Sequence, residues 1–239
     1  MTRTARFTLL AAAVAALLLL GAGPGVRLGA WEFRTGFSLL RSGAYLGLAA
    51  AIAALVQLAV PKLRPGRSGP LLLALGLGTL AAGVPWYWRN RARSVPPIHD
   101  ITTDTADPPA FVAVLPLRAG APNPAEYGGE EIAAAQQQAY PDVRPLILPL
   151  APGTAFTQAL AAARSAGWEI VAADSAAGRI EATATTGWFG FKDDVVVRIQ
   201  PADGGSRIDV RSVSRVGKSD VGANAERIRS YLRSLGAGG

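Results

Sequence analysis

The densest polar stretch of this chain runs Arg211-Ser-Val-Ser-Arg-Val-Gly-Lys-Ser-Asp-Val-Gly-Ala-Asn224, and residues 205–235 hold seven cations against three acids. It falls where an alternating pattern gives way to a helical one, so backbone amides at a helix start would lie beside Arg211, Arg215 and Lys218. Such amides with nearby cations are suited to holding an anion. Asp193 and Asp194 lie just upstream, and Ser214, Asp220 and Asn224 fall inside the stretch, which makes these eight residues the candidate ligand-binding set. A plainer reading competes with it. Asp193, Asp194, Asp209 and Asp220 would neutralise the cations in structural ion pairs, and Ser219 or Asp220 would only cap the helix.

Other chemistries are poorly supplied. Gly217-Lys-Ser219 resembles the end of a phosphate-binding loop, but that motif needs a glycine at position 212, which is serine. The lone histidine, His99, precedes Asp100 and Asp104, and a zinc site wants three or four ligands. A Ser-His-Asp triad through Ser212 or Ser214 would rest on His99 alone. Cysteine is absent, which excludes disulfides and thiolate chemistry. No catalytic residue, metal or cofactor is therefore assigned. Thr186-Gly-Trp-Phe-Gly-Phe191 offers aromatics for a bilayer surface, a ligand or a partner, or Trp188 and Phe191 close one end of a core; the core reading is preferred.

The charge distribution narrows the partners. The formal net charge is +7, but residues 1–93 carry eleven Lys and Arg against one acid, Glu32, while residues 94–239 carry thirteen against sixteen. A protein gripping phosphate backbones wants its positive charge on the folded domain, so nucleic acid is set aside. The basic excess surrounds three apolar runs, Phe7–Gly23, Gly43–Val60 and Pro70–Trp88, each near the roughly 20 residues that cross a bilayer core. Trp31, Phe33, Trp86, Tyr87 and Trp88 sit where amphipathic rings favour the headgroup layer. With the N-terminus inside, the inner side carries Arg3, Arg6, Lys62, Arg64 and Arg67, and the outer side Arg27, Arg34, Arg41, Arg89, Arg91 and Arg93. That count is nearly even. The first helix favours N-inside, which puts the C-terminal domain in the periplasm of a cell inner membrane. Arginine far outnumbers lysine, and alanine and glycine are abundant, which suggests a GC-rich bacterial genome.

The elements follow from periodicity. Residues 1–93 form a three-span membrane anchor, residues 94–124 a Pro- and acid-rich linker, and residues 125–239 a soluble domain. The pattern predicts a helix over 125–140, a short strand over 145–150, and a helix capped by Thr154 and stopped by Gly167. Beyond it the period becomes 2. Hairpins are predicted for 168–173 with 179–185, and for 194–200 with 207–215 around Asp203-Gly204. That turn pairs Gln200 with Arg207, Arg198 with Asp209 and Val196 with Arg211. Val195, Val197, Ile199, Ile208, Val210 and Ser212 then share one face. Asp194 faces Val213, with Arg211 on the diagonal and within reach. A last helix spans 221–235. The fold class is α+β, an antiparallel sheet of four to five strands packed with helices in two layers. The linker region 94–142 has one cation, Arg118, against seven acids, so it is expected to pack across the basic strand-to-helix region.

Phe191-Lys-Asp-Asp-Val-Val-Val-Arg-Ile and Ile208-Asp-Val-Arg-Ser-Val-Ser-Arg-Val-Gly-Lys-Ser-Asp-Val-Gly-Ala-Asn resemble the family catalogued as domain of unknown function 1499, over about residues 97–235. The three spans and Pro96-Pro-Ile-His-Asp100 are similar to its membrane-anchored bacterial branch. The resemblance implies an extracytoplasmic domain and carries no activity; the cysteine of its lipoprotein-type members is missing here. The functional expectation is an integral membrane protein whose domain binds a protein partner or a small anionic or amphipathic ligand. The alternatives are an envelope hydrolase using Asp193, Asp194, Arg211, Ser214 and Lys218, and a structural subunit of a membrane complex.

Overall fold

A computed structural model describes residues 1–63, 66 and 68–236; Arg64 and Arg67 of the charge count lie outside the described residues. The chain divides into two compact units. One is Met1–Arg93 with Gly187–Gly190, and the other is Ser94–Thr186 with the chain from Phe191.

The first unit is built on three helices, α1 (Arg3–Arg27), α2 (Phe33–Ala59) and α3 (Gly69–Arg93), each long and apolar enough to cross a membrane. They mark the chain as membrane-associated. Their packing is inverted relative to a water-soluble bundle. Ala12, Ala15, Gly43, Ala50, Ala54, Ala74, Gly78 and Ala81 are buried, while Leu17, Leu20, Leu48, Ile52, Leu72 and Leu80 point outward. Lipid gives no reason to hide leucine, so helices associate through small residues that let backbones approach. Gly47 and Gly78 mark the closest approach: a Cβ on Gly47 would lie 2.8 Å from the Gly78 carbonyl oxygen. Inside the bundle Gln57 Nε2 donates to Thr8 Oγ1 at 2.7 Å, and Thr8 Oγ1 donates to the Thr4 carbonyl.

The second unit is α+β, as expected, with six antiparallel strands in place of four to five. They are β1 (Asp100–Thr102), β2 (Leu146–Leu148), β3 (Glu169–Asp174), β4 (Arg179–Thr185), β5 (Lys192–Ala202) and β6 (Gly205–Ser214). The order is β1-β6-β5-β4-β3, and β2 shares the edge of β6 with β1. β1 pairs with residues 211–213 and β2 with 206–208. Between them Thr103 donates its N–H to the Val210 carbonyl and accepts the Val210 N–H on Oγ1, both at 2.9 Å. The extra strand comes from the segment read as a linker, and its three residues are too few to show a period.

The β5–β6 register is the one the alternation predicts, with Gln200 opposite Arg207, Arg198 opposite Asp209, Val196 opposite Arg211 and Asp194 opposite Val213. Gly204 closes the two-residue loop at φ +79°. On one face Val195, Val197, Ile199, Ile208 and Val210 pack with Phe156, Ala159, Ile228 and Tyr231 of helices α5 (Pro152–Ser165) and α6 (Ala223–Gly236). Helix α4 (Gly129–Ala139) sends Gln136 back to clamp Thr102, accepting its N–H at 2.9 Å and donating to its carbonyl at 2.6 Å.

Three local expectations need correction. α5 starts at Pro152 behind Ala151, with no side-chain cap from Thr154; proline at the first helical position is preorganised there. Its far end is as expected, with Gly167 at φ +75° and the Gly167 and Trp168 N–H groups bonded to Arg164 and Ala163 carbonyls. Val221 is outside α6, at φ +57°, because Asp220 turns the chain there. Trp188 and Phe191 are absent from the buried core, and Trp188 is 45% exposed; they sit in a loop whose tip, Gly187–Gly190, belongs to the first unit.

Candidate functional site

The second sheet face alternates with the apolar one and carries Glu181, Thr183, Asp194, Val196, Asp209, Arg211 and Val213, all buried. What buries them is the proline-rich segment. Phe111 and Val114 pack on Val196 and Val213, and backbone N–H groups of Val112 and Val114 donate to the Glu181 carboxylate at 3.0–3.1 Å. Prolines and the Asp104 carboxylate, which accepts the Ala106 and Asp107 N–H groups, hold this strap in an irregular path.

Asp194 is at the centre of the face, with no exposed surface. It accepts from Arg118 Nη1 at 2.6 Å, Thr183 Oγ1 at 2.7 Å, Arg215 Nη2 at 2.8 Å and Arg215 Nε at 2.9 Å. Burial opposes its ionisation, but the bonds from Arg215, Thr183 and Arg118 outweigh that and hold its pKa below the usual carboxylate range. Arg118 comes from the strap and also donates to the Asn123 and Pro124 carbonyls.

Arg211 does not pair with Asp194, which corrects the diagonal contact expected from the hairpin. It binds Asp100 of β1 in a two-pronged contact, Nε–Oδ1 at 2.9 Å and Nη2–Oδ2 at 2.7 Å, between the rings of Phe111 and Tyr127. Asp100 and Asp194 both lie opposite Val213, one on each flanking strand, so Arg211 is diagonal to both; Asp194 is taken by Arg118, Thr183 and Arg215, and Asp100 belongs to β1, within the segment read as a linker. Burial, together with the Asp100 charge, pushes the Tyr127 hydroxyl up to about 12.

The remaining candidates gather at the start of α6. Asp193 receives Arg227 Nη2 at 2.6 Å. Asn224 accepts from Ser212 Oγ at 2.7 Å and from Arg227, and donates to Ser214 Oγ at 3.0 Å and to the His99 carbonyl at 2.9 Å. Asp220 accepts the Gly222 and Asn224 N–H groups at 2.8 and 2.7 Å, so the amides that would cradle an anion already face a carboxylate of this chain. Burial raises the Asp220 pKa against those two bonds, and the nearby Asp193 charge adds to the rise. Lys218 is exposed and takes no part in these pairs; its carbonyl lies 3.4 Å from His99 Nδ1. Asn123 anchors the loop, donating to the Ser214 and Gly217 carbonyls.

Seven of the eight candidates thus divide into an Asp194–Arg215 group, an Arg211–Asp100 pair and an α6 group of Asp193, Ser214, Asp220 and Asn224, and Lys218 joins none of them. Their main partners, Arg118, Asp100, Thr183 and Arg227, were missed. Arg118 stood out in the sequence as the one cation of an acidic segment, and Asp100 only as a neighbour of His99. Among the described residues no three His, Asp or Glu side chains group to hold a metal ion.

The family model described as "Protein of unknown function (DUF1499)" matches residues 100–235, more than half of the chain. The chain belongs to this family. Comparison with curated proteins returns no match. The DUF1499 region starts at Asp100, the partner of Arg211, and ends at Leu235 of the buried core. It therefore takes in the strap, the sheet and nearly all of α6 together.

Proposed function

We propose that this chain is a multi-pass inner-membrane protein of a bacterium whose α+β unit stands in the periplasm as a non-catalytic module, a partner-binding or structural subunit of a membrane assembly. The observation that carries this reading is the coordination of Asp194: fully buried, with four donated bonds from Arg118, Thr183 and Arg215. A binding or catalytic site keeps charge that a ligand can reach, whereas a carboxylate closed in this way holds the fold together. An envelope hydrolase built on Asp193 and Asp194 would need one of them open to substrate, and both are covered.

The membrane part of the reading is supported by the small-inside, large-outside packing of α1–α3, and the periplasmic side by the N-inside preference of the first helix. Two experiments test it. A periplasm-active reporter enzyme fused after the last residue should be functional, and one fused in the loop after α2 should be silent; the opposite pattern reverses the orientation. The full chain purified in detergent should bring down a protein subunit and no small molecule detectable by mass spectrometry. A retained molecule that is lost in Asp194→Ala would replace the structural reading with a binding site.

One observation favours a second reading, capture of a small amphipathic ligand. A cleft of about 660 Å³ lies between α5 and α6, lined by Ala161, Ala162, Ser165, Trp168, Ser230 and Arg227 among others. Trp168 and Tyr231 stack beneath it at 4.7 Å. Filling it with Ala162→Phe should abolish retention of such a ligand and leave partner recovery unchanged.

A further inference from the structure

The charge at one end of the helical unit is unbalanced. Gln57 near the end of α2 reaches Thr8 near the start of α1, and Gly47 of α2 meets Gly78 of α3 while Ala54 packs with Leu71 and Ala74, so neighbouring helices run antiparallel. The end of α1, the start of α2 and the end of α3 therefore share one end of the bundle. Arg27, Arg34, Arg41, Arg89, Arg91 and Arg93 all lie toward it and all are exposed, with Glu32 as the one acid among the described residues of this unit. Every cation there is arginine.

The depth of these arginines follows from their neighbours. Trp86, Tyr87 and Trp88 are 56–66% exposed on the last apolar turn of α3, and such rings settle at the headgroup level. At 1.5 Å rise per residue, Arg89 to Arg93 extend about 2–8 Å beyond Trp88, which is the layer of lipid phosphates. Arg34 and Arg41 flank exposed Phe37 on α2 in the same way. Arg27 donates to the Gly187 carbonyl at 2.6 Å, which orients its guanidinium without cancelling its charge.

We propose that this arginine collar binds the headgroups of anionic phospholipids, selecting them over zwitterionic lipids. The proposal rests on reading α1–α3 as membrane spans. A guanidinium meets a phosphate through two parallel N–H···O bonds, a geometry that lysine does not offer. Arg27, Arg34, Arg41, Arg89 and Arg93 outnumber Glu32, and lipids with net negative headgroups match that surplus in the plane where these side chains end. Zwitterionic lipids carry the same phosphate, but their ammonium groups are repelled by the collar.

The full chain, reconstituted in phosphatidylcholine vesicles containing one-quarter phosphatidylglycerol and then extracted with its bound lipids, is read by native mass spectrometry. Phosphatidylglycerol should be enriched over its vesicle fraction, with affinity falling on the order of fivefold for each arginine removed. The double variant Arg89→Gln/Arg93→Gln should return most of the bound lipid to the vesicle composition, and Arg89→Lys/Arg93→Lys should retain part of the enrichment. Excess inorganic phosphate should displace none of it. Bulk lipid composition around the wild type, equal enrichment around the glutamine variant, or displacement by inorganic phosphate would each overturn the proposal. A wild-type chain that alkaline carbonate strips from the vesicles would overturn the membrane reading itself; one that stays inserted without enrichment overturns only the collar.

Discussion

The two faces of one sheet are closed by different physics. Alternating residues of β5 and β6 send Val195, Val197, Ile199, Ile208 and Val210 to α5 and α6, and Asp194, Arg198, Asp209 and Arg211 to the strap. The apolar face needs only shape and area, so any helix with a suitable stripe can cover it. The ionic face needs a named partner for each charge, because a buried charge without one costs several kcal/mol. A cover without secondary structure can provide this, since its backbone N–H groups and side chains are not committed to a helix or ladder. The strap uses both: Val112 and Val114 N–H groups for Glu181, Arg118 for Asp194, and Asp104 for Arg207.

The comparison predicts a steep hierarchy of effects. Removing the strap should do the most damage. A fragment beginning at residue 143 loses Asp100, Phe111, Val114, Arg118 and Gln136 at once, exposing an ionic face that no water-filled surface would tolerate dry. Its melting temperature should fall by on the order of 15 °C or more relative to residues 94–239, with a salt-dependent part from the acid-to-base contacts. Equal melting temperatures would reduce the strap to a spacer.

A single carboxylate comes next. Asp194→Ala leaves Arg118 and Arg215 facing each other without an anion and should cost about 3–5 kcal/mol, read as a shift of the urea midpoint. The sign of its pH dependence is fixed by the direction of the pKa. Because the folded pKa is lowered, the contribution is present above the unfolded value of about 3.9 and is lost as pH falls through the folded value. The gap between wild type and variant should therefore be widest near neutrality and narrow below about pH 4. A gap that widens on acidification would contradict the pairing. On the apolar face Ile208→Val, fully buried but needing no specific partner, should cost only about 0.5–1.5 kcal/mol and show no pH dependence.

The same contrast explains what could be read from the sequence. The β5–β6 hairpin was legible down to its register because a period of 2 and an Asp-Gly turn are local signals, and they act on the same residues. The three long helices were legible for a similar reason, since a run of apolar residues is its own evidence. β1 was not, because three residues in a proline-rich segment carry no period, and its strand character comes only from the edge of β6. The site failed at the same point. Asp194 and Arg211 are diagonal neighbours in the predicted register but do not pair, and their partners, Arg118 and Asp100, lie 76 and 111 residues away. Partner choice across such separations depends on how the strap is laid down. Val221 was misread as helical because an apolar residue at the right spacing outweighed the turn that Asp220 imposes.

The smallest expected effect tests where the ionic face ends. Arg198 contacts Asp209, Asp104 and Asp107. Asp209 is fully buried and also holds Arg207, whereas the Asp107 side chain is 77% exposed. The Arg198–Asp107 distance, 2.8 Å, is shorter than the 3.1 Å to Asp209, so distance alone would rank Asp107 as the stronger partner. Exposure reverses the ranking. Water solvates Asp107 in both folded and unfolded states and screens its attraction, and Arg198 keeps two other carboxylates when it is gone. Asp107→Ala should therefore cost less than about 1 kcal/mol and lose even that in molar salt, while Asp209→Ala should cost several times more at any ionic strength. Equal losses from the two variants in the urea midpoint would mean that the strap contributes through contact geometry and not through burial. The distinction drawn between the two faces of the sheet would then fail.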